Sequence, residues 1–345
     1  MKILILYYEI AHYNIPCFKE LSKNNDIFLV KYDINKSEAP FEFEFDFPIN
    51  VYNAKSLSYN DLSNLLLEIN PDIIFCAGWK NKDYLKLCVS NNDKITILGF
   101  DTPWNGSLKQ WVSVLFYRLK YINVFNYAFI PGKAQYKLAA KMGFKKDEIK
   151  MGAYSCDFNY FKNIGDKFNI IKRKHFPKRF LYVGRYIERK GVLDLWESFI
   201  QLHNEFPNDW ELWCVGIGPL HENKPNHSKI KHFGFLQFSE ISSLIGETSV
   251  LILPSHFEPW GVVVHEFASA GFPMILSDKI SSSSVFLKDE INGFVFESKS
   301  INSLKSSMKK IIEINNENLL KMGEISTKLA SKITPEKWVK TFIDV

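Results

Sequence analysis

The strongest constraint on this sequence is a rhythm of short apolar runs, each followed by a stretch with helical spacing. In the first half the runs are Ile3 to Tyr8, Ile27 to Val30, Asp72 to Ala77, Lys94 to Phe100 and Tyr127 to Ile130. In the second half they are RFLYVG, ELWCVG, IKHFGF, SVLILPS, FPMILS and INGFVF. Short apolar runs alternating with amphipathic helices read as parallel strands covered on both faces. The series occurs twice, and 345 residues suffice for two cores of ordinary size. The expectation is an α/β chain with two Rossmann-like, doubly wound domains. FEFEFDF, Phe41 to Phe47, alternates strictly and predicts an edge or hairpin strand with a solvated acidic face.

Composition excludes several classes. Hydrophobic residues at 46% and charged residues at 23% describe a globular chain rather than a disordered one. A net charge of +5 is too mild to indicate nucleic acid, but it suits an anionic ligand or an acidic membrane surface. Five cysteines without C-x-x-C spacing predict a reducing, cytoplasmic setting with neither a disulfide frame nor a zinc site. The six-residue apolar run before Glu9 is too short for a signal core and reads as a first strand.

The stretch PSHFEPWGVVVHEFASAGFP, Pro254 to Pro273, follows the apolar run VLIL and turns helical from Val262. Glu258 falls in the loop at the carboxyl end of a strand, and Glu266 about one turn into the helix. A helix start with unpaired N–H groups suits a phosphate, and Gly261 would let that phosphate approach the backbone. Two carboxylates at such a spot make sense if the ligand also offers vicinal hydroxyls. A nucleotide sugar has both parts. The plain alternative is a pair of exposed glutamates on an amphipathic helix.

RFLYVG leads into Arg185, and Lys190-Gly191 opens a helix with Val192, Leu195, Trp196, Phe199 and Leu202 on one face. Arg supplies a planar fork for phosphate oxygens and Lys a point charge, together offsetting the two glutamates. Surface charges are the alternative. VGIGPL matches only the first two glycines of G-x-G-x-x-G, at Gly216 and Gly218, with Pro219 intervening and His221 at the third position, which argues against a dinucleotide oxidoreductase.

The frame Glu258 to Pro273, two glutamates with seven residues between them ending in Ala-x-Gly-x-Pro, resembles the signature of the retaining glycosyltransferases of family 4, the group 1 glycosyltransferases. Ser269 takes the place of the family's alanine. Arg185 and Lys190 resemble the family's diphosphate-holding pair. The turn at Gly218 and the segment Gly234 to Ser255, with Leu236, resemble parts that lie beside the donor, as do Trp260, Gly261 and Val262. The resemblance implies the GT-B arrangement, two domains facing a central cleft, with residues 1–161 binding acceptor, a linker at 162–178, a donor domain at 179–325 and a helix at 326–345 returning to the first domain.

It also implies transfer of a hexose-type sugar from a nucleotide-diphosphate donor to a glycan or lipid-linked hydroxyl, in surface polysaccharide synthesis, with no cofactor and no metal. Glu258, Arg185, Lys190 and Asp101 would carry the chemistry, and Glu266 would hold the ribose. Asp101 stands where the family often shows His; it is either a turn residue or an acceptor partner, with Trp104 a stacking surface. His12 is either an acceptor contact or a surface histidine. The stretch 109–130 is either a core helix, the favoured reading, or a helix lying on the cytoplasmic face of a membrane. A sugar-nucleotide epimerase and a catalytically silent GT-B subunit remain as alternatives.

Overall fold

The computed structural model describes residues 1–33 and 44–345. The chain forms two compact units, Met1–Cys156 with Pro335–Val345, and Asp157–Thr334.

The first unit runs β1 (Lys2–Leu6), α1 (Asn14–Ser22), β2 (Asp26–Lys31), β3 (Asn50–Asn53), α2 (Tyr59–Ile69), β4 (Ile73–Ala77), α3 (Lys82–Val89), β5 (Ile95–Gly99), α4 (Leu108–Tyr121), β6 (Tyr127–Ile130), α5 (Lys133–Met142) and β7 (Ile149–Met151). Its seven strands are parallel, in the order β3-β2-β1-β4-β5-β6-β7. Alternation along the strands serves both faces: Leu4, Leu6, Ile74 and Cys76 enter one core, and Ile3, Ile5, Ile73 and Phe75 the other. Sequence marks the helix starts, with Ser58 and Asp61 forming a reciprocal cap on α2 and the Asn81 side chain capping α3.

The second unit runs α6 (Phe158–Lys172), β8 (Arg179–Val183), α7 (Val192–Glu205), β9 (Glu211–Val215), β10 (Ile230–His232), α8 (Phe238–Glu247), β11 (Val250–Leu253), α9 (Val262–Ser269), β12 (Met274–Ser277), α10 (Ser283–Phe286), β13 (Gly293–Phe296), α11 (Ile301–Glu313) and α12 (Asn316–Ala330). Six parallel strands lie in the order β10-β9-β8-β11-β12-β13. Every residue of β11 and β12 is buried, as a strand covered on both faces requires. The predicted apolar face of α7, Val192, Leu195, Trp196, Phe199 and Leu202, is buried as expected. The last helix, α13 (Pro335–Ile343), belongs to the first unit. Its Trp338 and Phe342 stack at 4.9 Å and enter the core that holds Phe129, and the indole N–H of Trp338 donates to Ala153 O at 2.9 Å.

Three expectations need correction. Residues 162–178 are not a plain linker: most of them extend α6, which is capped by the Asp157 side chain and packs on α8 and α9 within the second unit. In FEFEFDF, residues 41–43 lie outside the described residues, and Glu44 to Phe47 form no strand; Phe45 and Phe47 instead pack against the first unit's core, ahead of Pro48. The stretch 109–130 is not an ordinary core helix, because α4 buries only Val114 and Tyr117 and leaves most of its large apolar side chains exposed.

Candidate active site

In the second sheet the chain order reverses beside β8: β9 and β10 lie on one side, β11 to β13 on the other. Loops at the carboxyl ends of strands flanking such a switch point form a crevice. Here the loop after β8 carries Arg185 and Lys190, and the loop after β11 carries Glu258. The two loops are fastened together. His256 N–H donates to Arg189 O at 2.9 Å, a guanidinium N–H of Arg189 donates to Phe257 O at 3.2 Å, and His256 Nε2 lies 2.7 Å from Asp194 Oδ2. Gly191 sits at φ +66° with Pro254 O only 2.1 Å from where a Cβ would be, so only glycine allows this approach.

This fastening brings Lys190 and Glu258 into a mostly buried ion pair, with Ser255 Oγ a further 3.5 Å neighbour of the carboxylate. The main chain of Glu258 bridges to Ile280, giving the loop strand-like support. Arg185 is half-buried at the end of β8, and its carbonyl accepts from Tyr182 OH at 2.9 Å. Gly261, at φ +87°, starts α9, and a Cβ there would lie 2.9 Å from Glu258 Cγ. Glycine therefore places the helix start directly beside the carboxylate, with Val262 as the first helical residue.

Glu266 lies one turn into α9, half-buried. Among the described residues no hydrogen bond or ion pair holds its carboxylate, and desolvation by the surrounding protein pushes its pKa up to about 7. One turn behind α9's entry, His265 is fully buried, stacked on Phe286 and within 3.1 Å of Ala330 O; burial holds its pKa down to about 4.

The Gly216–Gly218 turn packs on the loop after β8: Tyr186 N–H donates to Ile217 O at 2.8 Å, and a Cβ at Gly218 would meet Tyr186 O at 2.5 Å. Gly216 N–H donates to Gly234 O at 2.7 Å, which brings the half-buried loop containing Leu236 to the same edge. Trp260 follows Glu258 in the same loop. Its indole is buried against Phe286, so only its main chain can face a ligand there.

In the first unit a pocket of about 330 Å³ opens at the sheet's own switch point, between the ends of β1 and β4. Asp101 lines it, with Tyr7, Tyr13, Trp79, Tyr84 and Tyr154. Tyr13 and Tyr154 rings lie 5.1 Å apart, and Tyr7 OH accepts from Asn14 at 3.2 Å. Burial raises the pKa of the Tyr7, Tyr84 and Tyr154 hydroxyls, keeping them protonated. Flat aromatic walls, hydroxyl groups and the carboxylates of Asp101 and Glu9 suit a polyhydroxylated ring.

His12 and Trp104 are not among the residues lining this pocket. Trp104 packs edge-on against Trp111 at 5.1 Å under the ammonium of Lys141. Glu9, Tyr13 and Trp79 line the pocket instead. Among the described residues no group of three or more His, Cys, Asp or Glu could hold a metal ion, and no helix is long and apolar enough to cross a membrane.

Residues 164–329 match the family model of the glycosyl transferases, group 1. An uncharacterised glycosyltransferase of Methanocaldococcus jannaschii is 30% identical over 167 residues, 46% of this chain and 45% of that protein. This alignment thus spans less than half of that relative's length. The lipopolysaccharide 1,6-galactosyltransferase of Salmonella typhimurium is 24% identical over 268 residues, covering 74% of this chain and 69% of that one. Among solved structures, Alr3699/HepE of Anabaena, in complex with UDP and glucose, superposes with a TM-score of 0.71 at 14% identity over 99% of this chain and 98% of that one. The two parallel α/β units are those of the GT-B fold.

Proposed function

We propose that the chain is a retaining glycosyltransferase that moves a hexose-type sugar from a nucleotide-diphosphate donor to a hydroxyl of a glycan or lipid-linked acceptor. The buried Lys190–Glu258 pair, held beside the start of α9 at the second sheet's switch point, is the observation that carries this reading. A buried charge pair costs desolvation, and its retention at a crevice fits a site built for a ligand of mixed charge. In this reading the diphosphate draws Lys190 away from Glu258 and meets Arg185 and the N–H groups at Val262, with Gly218 and the loop at Leu236 beside the nucleoside. Glu258 turns to the donor sugar's hydroxyls, and Glu266 to those of the ribose.

As the anomeric C–O bond breaks, charge grows on the leaving diphosphate and is met by Arg185 and Lys190. The acceptor oxygen bonds to the same face of the sugar, and its proton passes to a leaving phosphate oxygen. Asp101 and its aromatic pocket hold the acceptor, and no metal is called on. Likeness to the Salmonella lipopolysaccharide galactosyltransferase favours surface polysaccharide synthesis. The test is mass spectrometry, to detect hexose addition, with proton NMR, to read anomeric configuration and any donor isomer, of reactions pairing a panel of nucleotide sugars with simple alkyl glycosides. One donor should add a hexose with its anomeric configuration kept, unaffected by chelator and abolished in Lys190→Ala. Conversion of donor to an isomer without acceptor would indicate an epimerase instead. Failure of the chain to bind or turn over any donor would indicate a silent subunit.

A further inference from the structure

Helix α4 covers the first sheet with a narrow stripe, burying Val114 and Tyr117. Its other face carries Leu108, Trp111, Val112, Leu115, Phe116 and Leu119, all exposed, with Leu108 and Leu119 each 79% exposed. At α-helical spacing these six fall within an arc of about 140°. Lys109 and Lys120 border the arc on one side and Arg118 on the other, all exposed. From Thr102 to Lys146 the sequence contains eight Lys or Arg and no Asp or Glu. Next to α4 lies a groove of about 1060 Å³, walled by Val112 and Phe116 on one side and Leu85 and Val89 of α3 on the other, with Lys86 and Lys109 also lining it. Trp79, Lys80 and Thr102 line both this groove and the pocket of Asp101.

We propose that α4 is an interfacial helix that docks the first unit onto a bilayer rich in anionic lipid. An exposed apolar arc edged by cations matches acyl chains below and phosphates beside them, and the long basic side chains reach outward to the headgroups. A second copy of this chain is a poorer occupant, because a two-fold contact on this face would set Lys109, Lys120 and Arg118 near their own counterparts. Docking would also bring the groove, and the pocket it adjoins, to headgroup level, which suits an acceptor held in the bilayer. That consequence rests on the transferase reading; the docking itself does not.

The experiment is flotation of the whole chain, without donor, on vesicles of phosphatidylcholine and of equal parts phosphatidylcholine and phosphatidylglycerol. The protein should float with the anionic vesicles only, and less so as salt rises. Lys109→Gln and Lys120→Gln should each weaken partition about fivefold. Leu115→Ser with Leu119→Ser should weaken it at least about tenfold while leaving the thermal midpoint unchanged, since both side chains are already exposed. The proposal is overturned if the wild type stays in the buffer, or if the double serine variant floats like the wild type. It is equally overturned if gel filtration shows a dimer that the serine variant dissolves while vesicles bind neither.

Discussion

Glu266→Gln should stabilise the protein, and only at neutral to alkaline pH. In the folded chain the carboxylate has lost solvent without gaining a partner, so its pKa rises from 4.5 to about 7. The folded state then binds the proton more tightly than the unfolded one, and stability falls as pH rises from about 4.5 through 7. That interval corresponds to about 3 kcal/mol for a fully desolvated group; Glu266 keeps some solvent contact, which reduces the expected effect to about 1–2 kcal/mol. Glutamine keeps the shape of the protonated acid and removes the titration. Calorimetric melts at pH 8 should place the second unit's transition about 2–8 °C higher in the variant, whereas at pH 5 the two proteins should nearly coincide. A nucleoside diphosphate should recover much of that stability in the wild type, because ribose hydroxyls supply the missing donors, and less in the variant. An equal gap at both pH values, or a less stable variant at pH 8, would refute the reasoning.

Burial of His265 acts in the opposite pH range. Its pKa is depressed from 6.5 to about 4, so stability is lost as pH falls through that window, by up to about 3 kcal/mol; His265→Gln should flatten this acid limb in melts between pH 7 and 4. Gly191→Ala forces a Cβ toward Pro254 O and strains a positive φ, so both fastened loops must shift; a loss of more than about 2 kcal/mol is expected, with nucleotide binding lost as well, checked by thermal melts with and without nucleotide. Trp338→Ala removes an indole packed on Phe129 and Phe342 and should cost the first unit about 3–5 kcal/mol in a denaturant titration.

The sheet strands were largely legible because burial on both faces leaves apolar runs that nothing else explains. The two that were not, β3 and β7, are edge strands: NVYN is polar and mostly exposed, and IKM is three residues long. Helix α6 was hidden for a different reason. Two of its buried positions are Gly165 and Lys172, the first because Ala270 O would lie 2.3 Å from any Cβ, the second because the lysine stem is buried with its ammonium over Phe272. Glycine and lysine at core positions erase the apolar period. In the candidate site, spacing marked Lys190, Glu258 and Gly261, but no spacing rule says that the cation and the carboxylate hold each other. The aromatic pocket around Asp101 is assembled from loops far apart in sequence, so no local spacing brings Tyr13, Trp79 and Tyr154 together.

Titration calorimetry of nucleoside diphosphates into the wild type, Lys190→Ala and Glu258→Ala tests the central claim most directly. The account predicts that one nucleoside diphosphate binds the wild type, that Lys190→Ala weakens it by at least about tenfold through the lost charge-assisted contact, and that Glu258→Ala binds it as well or better, because Lys190 is no longer engaged. Equal binding by wild type and Lys190→Ala, or binding abolished by Glu258→Ala in a folded protein, would contradict it.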